Sequence, residues 1–251
     1  MKKWIACFAC LLSLLSSAQK NSDSLAVRKL DSLLSAAIAA FREAPYDLRT
    51  DSLAPQFKQM LLQELKNPLT INHSLDSLAT HMRIENSNDG RVKFYSWDDW
   101  TGGTWHVIHC LAQFRDASGN IVVQELSTGR EMELSTYTDC SIYEVHDLLI
   151  NGEKHYLTFA WGTHGSGQEH RMIRVFKIEN DSLVNCKNCF STGSDLALEY
   201  PRALKIELKF DPKTKQITYK EFKMTEENAP FAELTGKTIT LELKNGKFEL
   251  K

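Results

Sequence analysis

Between Ser22 and Phe41 the apolar residues Leu25, Leu30, Leu33, Leu34, Ile38 and Phe41 recur mostly at steps of three or four, the spacing that lines one face of a helix. Asp and Ser residues upstream can cap its first turn. Ala44-Pro45 ends it, because proline disfavours helical geometry in the residue before it. A second helix is predicted from about Ser52 to Lys66, with Leu53, Phe57, Met60, Leu61 and Leu65 on one side and Asn67-Pro68 closing it. Two such helices form a helical hairpin whose apolar faces need a partner.

After about Ala79 the period changes to two, and turn dipeptides recur roughly every ten residues, the mark of an antiparallel sheet. Candidate turns are Ser87-Asn88-Asp89-Gly90, Ala117-Ser118-Gly119-Asn120, Asn151-Gly152, Asp211-Pro212-Lys213-Thr214 and Asn245-Gly246. Each supplies Gly, Asn or Asp for positive φ, or Pro for a preset φ. Leu204 to Phe210 alternates apolar and charged residues without a break, the pattern of a strand with one wet face; Thr238 to Leu243 repeats it. Trp105 to Phe114 is apolar on both faces, as in a central strand. The fold class expected is therefore α+β: a short N-terminal helical hairpin, residues 19–78, followed by a large antiparallel β-meander, residues 79–251, packed together as one unit. Sandwich, barrel and short propeller stay open as forms of that meander.

The N-terminus adds a compartment. Met1-Lys2-Lys3, an apolar run from Trp4 to Leu15 and then Ser16-Ser17-Ala18-Gln19 have the three parts of a secretory signal, with cleavage expected after Ala18. The run is too short to span a bilayer, so no transmembrane segment is expected once residues 1–18 are removed. Lipid attachment at Cys10 is the competing form of export; it is disfavoured because no Leu stands three residues before Cys10 and much of the apolar run follows it. The localisation expected is secreted or periplasmic. Of 251 residues, 30 are Lys or Arg and 32 Asp or Glu, a formal net charge of −2, and loss of Lys2 and Lys3 makes the chain more acidic. Nucleic acid is excluded as a main partner, since phosphate binding needs a basic stripe. Four Cys remain, in a compartment where disulfides persist. Cys186-x-x-Cys189 reads either as a short disulfide or as half of a zinc site; the compartment favours a local bridge, with Cys110 and Cys140 as the complementary pair.

Two segments carry candidate chemistry. The first, Tyr95 to His106, holds Trp97, Asp98, Asp99, Trp100 and Trp105 around Gly102-Gly103. Indole faces stack on sugars or apolar side chains while carboxylates accept hydrogen bonds from hydroxyls. A structural role competes: Asp98 or Asp99 capping backbone N–H groups, Gly supplying positive φ and the rings filling a core. The second is the Gly-rich run Trp161 to His170, with His164, Glu169 and His170. Its spacing matches no metal motif, and Ser166 lacks the flanking glycines of a nucleophile elbow, so no metal and no cofactor are called for. His106 and His109, three apart on an expected strand, should point to opposite faces. His146 and His155 flank the Asn151-Gly152 turn.

Ser96-x-Asp98, followed by Gly102-Gly103-Thr104-Trp105, resembles the Asp-box of sialidase-like propellers, Ser/Thr-x-Asp-x-Gly-x-Thr-Trp, though the turn is two residues longer and no series of boxes follows. That resemblance implies a structural turn rather than catalysis. The wider run of Ser87-x-Asp89-Gly90-Arg91, Phe94-Tyr95-Ser96-Trp97-Asp98 and Thr101-Gly102-Gly103-Thr104 resembles uncharacterised secreted β-rich proteins of Bacteroidota-type bacteria, which implies a compartment and no activity.

The function expected is non-catalytic binding or structural support outside the cytoplasm, toward a carbohydrate or protein ligand. Trp97, Asp98, Asp99, Trp100 and Trp105 would meet it, with His164, Glu169 and His170 closing the site if both loops share one end of the sheet. The alternative is a secreted hydrolase, acting for instance on carbohydrate, with Asp98 or Asp99 as base or nucleophile and Glu169 or His170 as acid. A third reading, assembly through the helices, requires an exposed stripe of Leu30, Leu34, Ile38 and Phe41.

Overall fold

The computed structural model describes residues 2–128, 140–165, 167–225 and 231–251, with side chains from Ser22 onward except those of Thr128 and His164. The chain is mostly β with antiparallel sheets, a β-rich α+β fold. It divides into two compact units, Met1–His81 and Met82–Lys251. Among the described residues no helix is long and apolar enough to cross a membrane.

In the first unit α1 spans Lys2–Glu43 without interruption. It stops just ahead of Pro45, as expected, but the chain re-enters helix at once, through α2 (Tyr46–Leu48), a π-helical turn (Arg49–Leu53) and α3 (Ala54–Glu64). Proline is tolerated there because its missing N–H falls at a helix start, where no intrahelical acceptor exists. Leu34, Ile38 and Phe41 are fully buried, as are Leu61 and Leu65, and the rings of Phe41 and Phe57 meet at 5.5 Å. Leu30 is half-buried, and Leu25 and Leu33 are exposed, so the stripe Leu30, Leu34, Ile38 and Phe41 that the assembly reading needs is not open. Asp31 accepts from the N–H groups of Ser77 and Leu78 at 2.9 Å each, capping the 3-10 turn Leu78–Thr80.

Among its described residues the second unit has three sheets. Sheet A has the order β1 (Arg83–Asn86), β2 (Val92–Asp98), β3 (Ile108–Arg115), β4 (Ile121–Thr128). Sheet B runs β5 (Ser141–Ile150), β6 (Glu153–His164), β7 (Gln168–Glu179), β8 (Ser182–Asn185), and β9 (Asp195–Pro201) also pairs with β7. Sheet C consists of β10 (Lys209–Asp211), β11 (Gln216–Met224), β12 (Ala232–Lys244) and β13 (Lys247–Leu250). The predicted turns connect these strands: Asn151 and Gly152 have φ of 52° and 84°, Asn245 and Gly246 49° and 84°, two consecutive positive values of the kind that favours Asn-Gly in tight hairpins.

Sheet B is the middle layer. Tyr156, Ala160, Met172 and Phe176 pack with Phe94, Cys110, Ala112 and Phe114 of sheet A. Residues of opposite parity, Leu157, Phe159, Ile173 and Val175, pack with Ile217, Leu241 and Phe248 of sheet C, as the alternation of side chains across a strand requires. The Gln124 amide joins sheets A and B by bonding both backbone groups of Leu183, at 3.0 and 2.8 Å. β3 is interior to its sheet, as expected from its apolar faces.

Two expectations need correction. Ile206 and Leu208 are buried while Lys205 and Glu207 are exposed, but residues 205–208 join no ladder; only Lys209–Asp211 pairs. The alternation there follows burial over a core, not strand pairing. The second correction concerns the cysteines: Cys186 and Cys189 are bridged, whereas Cys110 and Cys140 are buried thiols not joined in a disulfide. Each has another partner, the Ser96 hydroxyl at 3.4 Å from Cys110 and His170 Nε2 at 3.1 Å from Cys140.

Candidate functional site

The two segments singled out in the sequence come together. The His106 N–H donates to Thr163 Oγ1 at 2.7 Å, the rings of His106 and Trp161 lie 5.9 Å apart, and a Cβ on Gly165 would lie 3.9 Å from the Trp105 ring. Arg202 ties them from a third side, donating to the Thr104 carbonyl at 3.1 Å and approaching Glu169 at 3.5 Å.

Within the first segment the carboxylates are occupied. Asp98 accepts from the Trp100 N–H at 2.8 Å and pairs with His106 Nδ1. Asp99 accepts from the Thr101 N–H and hydroxyl and lies 3.3 Å from His109 Nε2. Burial alone would raise the Asp99 carboxyl, but the hydrogen bonds from His109 and Thr101 together outweigh it and hold it below the usual range. His106 precedes β3 rather than lying on it, so the opposite-face rule does not govern it, and each His reaches an Asp of the same turn. Trp97 is buried and stacks on His109 with centroids 5.0 Å apart. Trp100 adopts φ 54° and Gly103 63°. Gly102 admits no side chain, since a Cβ would stand 1.7 Å from the Trp105 carbonyl oxygen. In the second segment, Glu169 accepts from Trp161 Nε1 at 3.1 Å, and His170 is buried on the opposite face, against Cys140. His164 closes β6, with its side chain outside the described residues, as is all of Ser166.

Of the sequence candidates, then, Trp97, Asp99 and His170 lie inside the protein, while Asp98 and Glu169 bond to protein groups. The open space lies next to them. A cleft of about 540 Å³ is lined by Arg83, Ser141, Tyr143, Trp161, Arg171, Lys205, Ile206, Glu207 and Leu208. No family model matches the chain, and no curated protein or solved structure matches it. The cleft is therefore interpreted from its own chemistry.

Sheet register builds its floor. Ser141 pairs with Trp161, and Trp161 with Arg171, so the three form a row across β5, β6 and β7 with side chains on one face. That is the face that packs toward sheet C. Arg171 Nε donates to the Tyr200 hydroxyl at 2.9 Å, which fixes the guanidinium. The Tyr143 ring has the Arg171 guanidinium 5.1 Å from its centroid and that of Arg83 at 5.8 Å, within cation–π range. Burial pushes the Tyr143 hydroxyl up to about 12, so it is a neutral donor at ordinary pH. Glu207 pairs with Lys209 at 3.1 Å. Among the described residues none of Arg83, Arg171 and Lys205 has a carboxylate within ion-pair distance.

Sequence inspection passes over Arg83, Tyr143, Arg171 and Lys205, because they stand far apart in the chain and each looks like an ordinary strand residue. Trp161 is the one exception, lying at the edge of the Gly-rich run.

Proposed function

We propose that this is a secreted, non-catalytic binding protein whose ligand is a small organic anion with a flat or ring-shaped apolar face, an acidic saccharide being the representative case. The observation that carries this is the set of three cations, Arg83, Arg171 and Lys205, around one cleft, none of them with a carboxylate within ion-pair distance among the described residues; Glu85 acts on Arg83 from farther off, and Glu207, the acid on the lining, pairs with Lys209. Converging like charges are costly unless an anion completes them. Tyr143 and Trp161 supply ring faces for the body of such a ligand, and the volume lies in the range of small-molecule sites. The paired Asp and His residues act one layer behind, because Glu169 and the His106 ring hold the Trp161 indole in place.

Secretion rests on the signal-like residues Met1 to Ala18 and agrees with the Cys186–Cys189 bridge. The hydrolase alternative draws less support: its candidates Asp98, Asp99 and Glu169 already bond to the protein and His170 is buried against Cys140, whereas catalysis needs two titratable groups aimed into a cleft.

The test is calorimetric titration with a galacturonic acid disaccharide and with its neutral galactose counterpart. The acid is expected to bind, and to bind more weakly as salt rises; the neutral sugar is expected to bind at least tenfold more weakly. Equal binding of the two, or no binding of the acid, refutes the proposal.

A further inference from the structure

A second constellation lies away from the cleft, where β6 passes the Cys loop. One ring nitrogen of His155 and the sulfurs of Cys186 and Cys189 all lie within 4.8 Å of one another, the group among the described residues with metal-ligand chemistry. His155 and Cys189 are buried and Cys186 is half-buried. The His155 Nδ1 is 3.0 Å from the Glu153 carbonyl oxygen. A carbonyl only accepts, so Nδ1 carries the proton and Nε2 keeps its lone pair in the neutral ring. Backbone anchoring of one imidazole nitrogen is the device that aims the other at a metal. The loop is also held: the Cys186 N–H donates to the Val175 carbonyl at 2.7 Å, and the Phe248 N–H to the Cys189 carbonyl at 2.8 Å. Both donor atoms of the Cys-x-x-Cys thus stand on fixed backbone beside an oriented imidazole.

We infer that Cys186, Cys189 and His155 form a redox-gated site for the thiophilic d10 cation Zn²⁺, with the present disulfide as its closed state. Opening takes a dithiol reductant: its two sulfurs form a disulfide, the Cys186–Cys189 bond accepts the two electrons, and two Cys thiols result. An entering divalent ion then displaces the two thiol protons to solvent and takes two thiolates and the His155 nitrogen. One coordination position remains for water or an exogenous ligand, since a tetrahedral ion needs four. The disulfide form of the same dithiol reverses the step: the two thiolates give it two electrons as the Cys186–Cys189 bond forms, it takes up two protons to become the dithiol, and the ion leaves because disulfide sulfurs no longer offer thiolate charge.

The experiment uses the whole chain and Co²⁺ alone as a spectroscopic stand-in for zinc. Anaerobic protein reduced with a dithiol and freed of reductant is titrated and followed by thiolate-to-cobalt charge-transfer absorption. Reduced protein is expected to develop the band at one equivalent, oxidised protein to give none, and Zn²⁺ to bleach it. Cys186→Ser should abolish the band, and His155→Ala should weaken Co²⁺ affinity at least tenfold. Absence of the band in the reduced protein overturns the inference, as does a band of equal strength in Cys186→Ser, which would arise from Cys110 or Cys140. Unchanged affinity in His155→Ala reduces the site to its two sulfurs and also overturns it. Circular dichroism of the reduced wild-type chain accompanies the titration; unfolding on reduction counts against the inference, because the site needs β6 and the Cys loop held together.

Discussion

Trp161 and Arg171 stand opposite each other across β6 and β7, indole and guanidinium on one face of the middle sheet. The pairing makes an apolar face and a positive charge neighbours by register alone, so a ligand that joins a ring to an anion meets both at once. Arg171→Ala is expected to weaken binding of the galacturonic acid disaccharide about 10- to 100-fold, the loss of about 1.5–3 kcal/mol that accompanies removal of a hydrogen bond to a charged group. Calorimetry reads it. Arg171→Lys should recover little, since an ammonium cannot keep both the Tyr200 contact and the planar fork.

Gly102 and Gly103 are adjacent glycines with different reasons to be there. Gly102→Ala drives a methyl into the Trp105 carbonyl, an overpacking that should cost about 1–3 kcal/mol or more. Gly103→Ala meets no atom within 4 Å and is strained only by its φ of 63°, costing about 1 kcal/mol. Urea unfolding midpoints should rank wild type above Gly103→Ala and Gly103→Ala above Gly102→Ala. The reverse order would mean that the turn relaxes away from the clash.

Asp99 sets part of the acid limit. Its carboxyl is held below the ordinary value in the folded chain, so its contribution is fully present above about pH 4, the ordinary carboxylate value, and is lost as pH falls through the lower folded value. Asp99→Asn should therefore be less stable than wild type at pH 7, with the difference shrinking toward pH 2. Denaturant titrations at several pH values measure that slope.

Lys93 shows the opposite linkage. It is buried on β2, and burial depresses its ammonium to about 8. Between about pH 8 and the ordinary value near 10.4 the unfolded chain holds a proton that the folded chain lacks, so stability should rise with pH across that window and be flat in this respect below it. Lys93→Met should remove that rise. An unchanged slope between pH 8 and 10 would show that the ammonium stays charged where it lies.

Much of the fold is visible in the sequence because turn chemistry and alternation are local. Asn151-Gly152 and Asn245-Gly246 reveal hairpins through positive φ, a property of two residues. Leu204 to Phe210 shows the limit: alternation reports which side of an extended chain is buried, and Ile206 and Leu208 are, but it does not report whether a neighbouring strand is there to bond. The cleft is less legible still. Arg83, Tyr143, Arg171 and Lys205 are brought together by sheet register and by a segment that crosses the face, neither of which leaves a short-range pattern. The Trp and Asp turn stands out by composition, yet its rings and carboxylates largely serve the frame: Trp97 stacks on His109, and Asp98 and Asp99 hold the turn and its two His.

The double-sided burial of β6 and β7 has a consequence for how the second unit comes apart. Tyr156 to Ala160 and Met172 to Phe176 belong to both apolar cores, so neither core can dissolve without exposing a face of the same strands. Their amide protons should exchange with deuterium only through global opening, while those at the far end of the β11–β12 hairpin exchange through local fraying. The middle sheet makes two cores melt as one.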